Sequence, residues 1–225
     1  MNQPVTDFSG VERQTGAQPE WAVIWLHGLG ADGHDFEPIV PELVRPDWPA
    51  LRFVFPHAPV QPVTINNGMA MRAWYDIASF NPNAPQDDAG IRASVARVEA
   101  LIARENARGI PAERIVLAGF SQGGAVVLAA GLRHAQKLGG IVALSTYLPL
   151  VPSLAEEAAA ANREIPIFMA HGSQDPVVVP ARGEASRDVL EALGYRVQWQ
   201  RYPMQHAVCA AEINDLAAWF QARFG

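Results

Sequence analysis

Ser121 lies in a sequence context typical of a catalytic nucleophile. It stands between Gly119 and Gly123 in GFSQGGA, where an apolar run rich in β-branched residues ends and an Ala-rich helical run begins. A strand, a tight turn and a helix in this order form a nucleophile elbow, which exposes a serine hydroxyl above the sheet. The glycines fit this turn because bulkier residues would collide with it. An ordinary glycine-rich turn is the simpler alternative.

A serine hydroxyl is a weak nucleophile that needs a base, and the base needs an orienting carboxylate. Where the nucleophile lies on such an elbow, the acid and then the histidine follow it along the chain. Asp175 follows a strand-like run, and of the six histidines only His206 comes after it. The order predicts Ser121 as nucleophile, Asp175 as acid and His206 as base. A turn or helix-cap role for Asp175 and a structural role for His206 are the alternatives.

These side chains need a framework that brings distant stretches of chain together. Strand-like apolar runs alternate with helical ones, and the runs lie at 21–27, 51–55, 114–119, 139–145, 165–172 and 196–202. Helical spacing is clearest in the stretches 87–109 and 210–225. Strict alternation predicts a mostly parallel, doubly wound α/β sheet flanked by helices. In such sheets ligands bind beyond the carboxyl ends of the strands.

The loop after the first strand-like run, HGLGADG at 27–33, contains the spacing G-x-G-x-x-G. A dinucleotide site would need an acidic residue after the second strand, but PHAPV follows there. Pro38 and Pro41 also interrupt the helix that should receive a pyrophosphate. Glycines on both sides of Leu29 allow backbone N–H groups to face the site, which suits an oxyanion better than a dinucleotide.

Other residues of these loops are candidates for binding roles. Five apolar residues are predicted to line an acyl pocket, with a core position as the alternative for all but the first of them: Leu29, Met69, Trp74, Tyr147 and Val178. His27 and His171 precede glycines at strand ends and are predicted to hydrogen-bond loop backbone.

The chain offers no convincing metal site. Asp32, His34 and Asp35 are too closely spaced for a helical or finger-like ligand set, and the single cysteine, Cys209, excludes both an internal disulfide and a Cys-based zinc site. We therefore expect no metal and no other cofactor.

The composition excludes several classes of function. The 225 residues carry a net charge of -6, and no basic run is present, which argues against nucleic acid and anionic membranes as partners. No apolar run approaches the roughly 18 residues that a membrane span needs, and residues 1–20 lack the features of an export signal. We expect a cytoplasmic protein with one domain over residues 1–225, in which residues 1–20 form an arm or an edge strand.

Six motifs together resemble the phospholipase/carboxylesterase family, which includes bacterial carboxylesterases and acyl-protein thioesterases. They are LHGLGADGHDF, RAWYDI, GFSQGGA, LSTYLP, HGSQDPVVV and YPMQHAV, and the similarity runs from Trp21 to the C-terminus. The resemblance implies a compact α/β-hydrolase without a separate lid domain or cofactor, often dimeric. Gln205 stands where the family commonly has glycine, and the motif around Thr146 also varies.

The resemblance gives Ser121, Asp175 and His206 the same roles as the reasoning from their order. It further implies an oxyanion hole formed by the backbone N–H groups of Leu29 and Gln122. The expected function is therefore that of a serine carboxylesterase that hydrolyses short to medium acyl esters through an acyl-enzyme.

Several alternatives to this function stay open. A thioesterase or lysophospholipase would act on longer acyl chains, and an acyltransferase would share the same triad. A non-catalytic binding protein with a hydrolase fold is the alternative outside enzymes. Two Pro- and Asn-rich stretches, 56–68 and 80–86, are long enough to shape the site.

Overall fold

The computed structural model describes residues 8–79, 81 and 84–224. The strands are β1 (Gly10–Gln14), β2 (Trp21–Leu26), β3 (Leu51–Pro56), β4 (Val60–Val63), β5 (Met69–Arg72), β6 (Ile115–Phe120), β7 (Gly140–Leu144), β8 (Ile167–Gly172) and β9 (Val197–Tyr202). The helices are α1 (Val40–Leu43), α2 (Asp88–Ala107), α3 (Gln122–Arg133), α4 (Val151–Glu157), α5 (Pro180–Ala192) and α6 (Ala210–Phe224).

The main sheet has the order β1-β3-β2-β6-β7-β8-β9. The run from β3 to β9 is parallel, and β1 pairs antiparallel with β3 at the edge. The predicted α/β class is confirmed, and every predicted strand-like run forms a strand of this sheet. The run 165–172 begins pairing only at Ile167. Pro166 precedes it and lacks the N–H group that a central strand must donate.

The strands of this sheet are buried on both faces. In β2, Ala22, Ile24 and Leu26 pack into the core under α2, α3, α4 and α5, whereas Val23 and Trp25 pack into the core under α1 and α6. Successive side chains of a strand point to opposite faces, so a strand covered by helices on both sides reads as a continuous apolar run.

Two strands pair outside the main sheet. β4 and β5 form an antiparallel hairpin between β3 and α2, so the stretch 56–68, predicted as a loop, contains a strand. Pro62 lies within β4 and only Val63 of this strand is buried, which explains why its sequence lacks a clear strand signal.

The sheet topology brings two loops together. β2 and β6 are neighbours, with Leu26 opposite Gly119 at their carboxyl ends. The loop that begins at His27 and the turn at Ser121 therefore leave the sheet side by side, while the loops after β8 and β9 lie along the same edge. Among the residues that the structure describes, no helix has the length and apolar character to span a bilayer.

Candidate active site

Ser121 occupies the sharp turn between β6 and α3. Its φ of 54° and ψ of -120° lie in a region that side chains rarely adopt. Two contacts hold the turn in place: the Ser121 N–H donates to the carbonyl of Leu144 at 2.9 Å, and the Thr146 hydroxyl donates to the carbonyl of Ser121 at 2.6 Å. The serine is therefore fixed at the start of a helix, where the helix dipole favours negative charge.

The glycines around this turn are required by close backbone contacts. A Cβ at Gly119 would lie 2.5 Å from the carbonyl oxygen of Gly123, and one at Gly123 would overlap the backbone of Leu26. Real Cβ atoms do not come this close to other atoms at either position. The collision that the sequence predicts for larger residues at a nucleophile elbow is therefore present here.

His206 contacts both other residues that the sequence places in a triad. Its Nε2 lies 3.0 Å from the Ser121 Oγ, and its Nδ1 lies 2.7 Å from Oδ2 of Asp175. The other oxygen of Asp175 accepts hydrogen bonds from the N–H groups of Val177 and Val178, at 2.8 and 2.9 Å. The Asp175 side chain is buried, so these amides and the imidazole fix its orientation.

This network assigns the tautomer of the imidazole. The carboxylate of Asp175 can only accept, so Nδ1 of His206 carries the proton and Nε2 is free to accept from the hydroxyl of Ser121. The arrangement can remove a proton from the serine as the serine forms a bond to carbon. The ring of Phe120 packs against the imidazole at a centroid distance of 4.7 Å.

Two backbone N–H groups lie next to this serine. Leu29 follows β2, and Gln122 is the first residue of α3. Neither N–H group has a hydrogen-bond partner within 8–79, 81 and 84–224. A Cβ built on Gly28 would lie 3.4 Å from the Cβ of Ser121, so the Leu29 loop adjoins the hydroxyl. Unpaired amides beside a nucleophile can bind a developing oxyanion.

A buried hydrogen-bond chain supports the Leu29 loop. The side chain of Gln122 accepts from the N–H of Trp74 at 2.8 Å and donates to the carbonyl of Tyr75 at 2.7 Å. The Trp74 indole donates to the carbonyl of His27 at 2.9 Å, and His27 Nε2 accepts from the N–H of Ala58 at 3.0 Å. Burial lowers the pKa of His27, which keeps the ring neutral and able to accept at Nε2.

His171 also binds backbone, as its position predicts. Its Nε2 donates to the carbonyl of Val178 at 2.7 Å and lies 3.5 Å from Asp175. Burial lowers the pKa of His171, so the ring is neutral and serves to shape the loop that carries Asp175.

A cavity of about 240 Å³ opens onto Ser121. Leu29, Tyr147 and Val178 lie in its wall, as the sequence predicts, while their contact with substrate stays a prediction. Met69 and Trp74 do not lie in this wall. Met69 is on the outer hairpin and 65% exposed, and Trp74 is buried in the hydrogen-bond chain behind Gln122.

Five further side chains line the cavity that the sequence did not single out: Ala31, Ile77, Phe120, Val177 and Arg182. Four of them lie inside the motifs LHGLGADGHDF, RAWYDI, GFSQGGA and HGSQDPVVV. Their position within the motifs could have identified these residues from the sequence. Arg182 lies outside the motifs, in the first turn of α5, and carries no such signal.

The acidic and histidine residues after β2 do not assemble a metal site. Oδ1 of Asp32 accepts from the backbone N–H of His34 at 2.8 Å, a contact that lowers the pKa of Asp32. Asp35 is exposed and lines the cavity. Within the described part of the chain, no three His, Cys, Asp or Glu side chains lie where they could hold one ion.

Comparison with known proteins identifies similar sequences and folds. The family described as phospholipase/carboxylesterase matches residues 11–223. The acyl-protein thioesterase 1 of Neurospora crassa is 44% identical over 203 residues, which cover 86% of this chain and 83% of that protein. The acyl-protein thioesterase 1 of Yarrowia lipolytica is 42% identical over 204 residues, covering 88% and 90%.

Two crystal structures have a similar fold. Arabidopsis thaliana SOBER1 superposes with a TM-score of 0.87 at 32% identity, over 91% of this chain and 99% of that one. Zea mays acyl-protein thioesterase 2 superposes with a TM-score of 0.83 at 28% identity, over 96% and 100%.

Proposed function

Because this chain belongs to the phospholipase/carboxylesterase family and is a hydrolase of the esterase or thioesterase type, we propose that it cleaves acyl thioesters and esters through an acyl-serine intermediate. The observation that carries the proposal is the continuous contact from Asp175 through His206 to Ser121, at 2.7 and 3.0 Å. It lies beside the N–H groups of Leu29 and Gln122, which have no partner among the described residues, and beside a largely apolar cavity.

In the first half-reaction Ser121 Oγ attacks the acyl carbonyl while Nε2 of His206 takes its proton. Asp175 stabilises the resulting imidazolium without itself accepting the proton. The N–H groups of Leu29 and Gln122 bind the negative carbonyl oxygen of the tetrahedral intermediate. The bond to the leaving group then breaks, His206 returns the proton to the departing thiol or alcohol, and the acyl group remains on Ser121.

In the second half-reaction water repeats the sequence. His206 takes a proton from the water as its oxygen attacks the acyl-serine carbonyl, and the same two amides hold the second oxyanion. Collapse of this intermediate breaks the ester bond, the proton returns to Ser121, and the carboxylic acid leaves. The cycle needs no metal or organic cofactor.

The names of the relatives favour an acyl thioester as the substrate. The two fungal relatives described above are named acyl-protein thioesterases and cover nearly the same length of chain. A thiol is also a better leaving group than an alkyl alcohol because its pKa of about 8.5 is far lower. We therefore place thioester hydrolysis ahead of the short-chain carboxylesterase that the sequence favours.

The volume of the cavity supports the carboxylesterase as a second candidate. Its 240 Å³ lies below the roughly 300 to 1,000 Å³ common for ligand pockets. A long acyl chain would have to extend beyond it, whereas a short or medium one would fit. Chain length and leaving group therefore separate the two candidates.

The test is kcat/KM for thioesters and 4-nitrophenyl esters of equal acyl length, from acetyl to palmitoyl, with Ser121→Ala as the control protein. Thioesters preferred at medium or long chains would support the first candidate, and esters preferred at short chains the second. Turnover that persists in Ser121→Ala would overturn the acyl-serine mechanism. If no substrate of either series is turned over, the proposed function fails.

A further inference from the structure

Arg182 forms part of the boundary between the cavity at Ser121 and a second, open groove. The groove has a volume of about 450 Å³ and lies between α4, α5 and the chain before α2. Tyr147 and Arg182 line both spaces. The guanidinium of Arg182 stacks on the ring of Tyr147, with Cζ 3.4 Å from the ring centroid. The Tyr147 hydroxyl is bound in turn to the hydroxyl of Tyr75 at 2.7 Å, so the ring under the arginine is fixed.

The guanidinium of Arg182 forms no hydrogen bond or ion pair with the residues that the structure describes. Glu184, on the same helix, pairs with Arg201 at 2.9 Å. Asp88 lines the groove and Asp35 lines the cavity, yet neither forms an ion pair with Arg182. The stacked side chain thus keeps its N–H donors unused at the wall of the candidate site.

The position of Arg182 is electrostatically unfavourable within its own helix. It is the third residue of α5, where the helix dipole disfavours a cation, and the first turn of α5 contains no acidic residue. Arg92 and Arg133 are paired, since both contact Glu157, at 2.7 and 2.6 Å, whereas Arg97, Arg196 and Arg223 form no ion pair with the described residues but do not line the cavity at Ser121. An unpaired cation kept at a helix start beside a catalytic cavity indicates a role in binding.

Resting on the function proposed above, we propose that Arg182 is a specificity-determining residue that binds a carboxylate of the substrate. The planar fork of a guanidinium matches the two oxygens of a carboxylate, and stacking on Tyr147 leaves the edge of that fork available. Asp35 and Asp88 on the same walls disfavour a doubly charged group such as a phosphate monoester. The preferred substrate is an ester or thioester that carries a single negative charge near the scissile bond.

The test compares matched pairs of esters that differ by one carboxylate. Mono-4-nitrophenyl adipate against 4-nitrophenyl hexanoate places the charge on the acyl group. 3-Carboxy-4-nitrophenyl acetate against 4-nitrophenyl acetate places it on the leaving group. The side that shows the preference identifies which part of the substrate Arg182 binds.

In Arg182→Met we expect the ratio of kcat/KM for the charged over the neutral ester to fall about tenfold or more in one pair, the effect of a hydrogen bond to a charged group. Hydrolysis of the neutral ester is the reference, so a general effect of the substitution on the cavity cancels in this ratio. Arg182→Lys should retain part of the preference, and added salt should weaken it in the wild type. Arg187→Met is the control, since Arg187 pairs with Asp188 and does not line the cavity.

A ratio that Arg182→Met leaves unchanged in both pairs would overturn the proposal. Failure of the proposed function is seen separately, as absence of any hydrolysis that depends on Ser121. A readout without turnover is the Kd of mono-4-nitrophenyl adipate and of 3-carboxy-4-nitrophenyl acetate for Ser121→Ala. A Kd that is roughly tenfold higher for either ester in the Ser121→Ala, Arg182→Met double variant supports carboxylate binding. Unchanged Kd values for both esters contradict it.

Discussion

The hydroxyl of Thr146 donates a hydrogen bond of 2.6 Å to the backbone carbonyl of Ser121, the residue whose φ is 54°. The donor comes from the loop after β7 and the acceptor from the turn after β6, so the bond connects two adjacent strand ends. It holds the turn in a conformation that would otherwise relax. The motif around Thr146, which varies from the family pattern, therefore supports the nucleophile through its backbone.

Removal of this hydroxyl should loosen the turn. In Thr146→Val we expect the free energy of unfolding to fall by about 1 kcal/mol, the usual net value of one hydrogen bond. We also expect kcat to fall severalfold because the serine is less well oriented. Urea unfolding and ester hydrolysis measure the two effects. Thr146→Ser, which keeps the hydroxyl, is the control, and a Val variant as active and stable as the wild type would show that the bond is dispensable.

The paired hydroxyls of Tyr75 and Tyr147 should show strong coupling. Both rings are buried, so Tyr147→Phe leaves the Tyr75 hydroxyl without its partner at a cost of about 1 to 3 kcal/mol. The double variant with Phe at both positions removes donor and acceptor together and should lose less than the sum of the single variants. A double-mutant cycle by urea unfolding measures this coupling. Additive losses would contradict a buried bond between the two residues.

Glu212 should make stability depend on pH. It lies in the first turn of α6 with both carboxyl oxygens buried. Burial raises its pKa from 4.5 to about 8. The folded protein therefore retains a proton that the unfolded chain releases above pH 4.5, and the stability falls as the pH rises from 4.5 to 8.

Glu212→Gln removes this dependence. At pH 9 we expect the free energy of unfolding of the variant to exceed that of the wild type by about a few kcal/mol, so the variant unfolds at a higher temperature. At pH 4 the two proteins should unfold at nearly the same temperature. Thermal unfolding across this pH range is the measurement. Glu191→Gln is a suitable control because Glu191 is exposed on α5. Parallel pH profiles for the wild type and Glu212→Gln would refute the assignment.

The sequence predicts most reliably the strands that are covered by helices on both faces. The strands that surround Ser121 are continuous apolar runs because helices cover both faces, and their order along the chain specifies the parallel sheet. The edge strand β1 reads GVERQ and is only partly buried, so its sequence did not distinguish a strand from an arm. The hairpin of β4 and β5 packs weakly and carries little of the signal that burial imposes.

The sequence predicts the three residues of the candidate triad more completely than it predicts the residues that line the cavity. Ser121, Asp175 and His206 are identifiable because the chemistry demands their types and order. The cavity wall depends instead on where loops turn: Trp74 lies in the same motif as Ile77 but points into a hydrogen-bond chain, while Ile77 faces the cavity. The role proposed for Arg182 depends on the absence of an ion-pair partner among the described residues, which only the folded structure reveals.

The most direct test of the central claim is the hydrolysis of 4-nitrophenyl butyrate by purified wild-type and Ser121→Ala proteins. Removal of the nucleophile should lower kcat/KM by about 10⁴- to 10⁶-fold while the melting temperature stays close to that of the wild type. This result would assign covalent catalysis to Ser121. Activity in Ser121→Ala within about tenfold of the wild type would exclude this serine from the reaction and contradict the proposed mechanism.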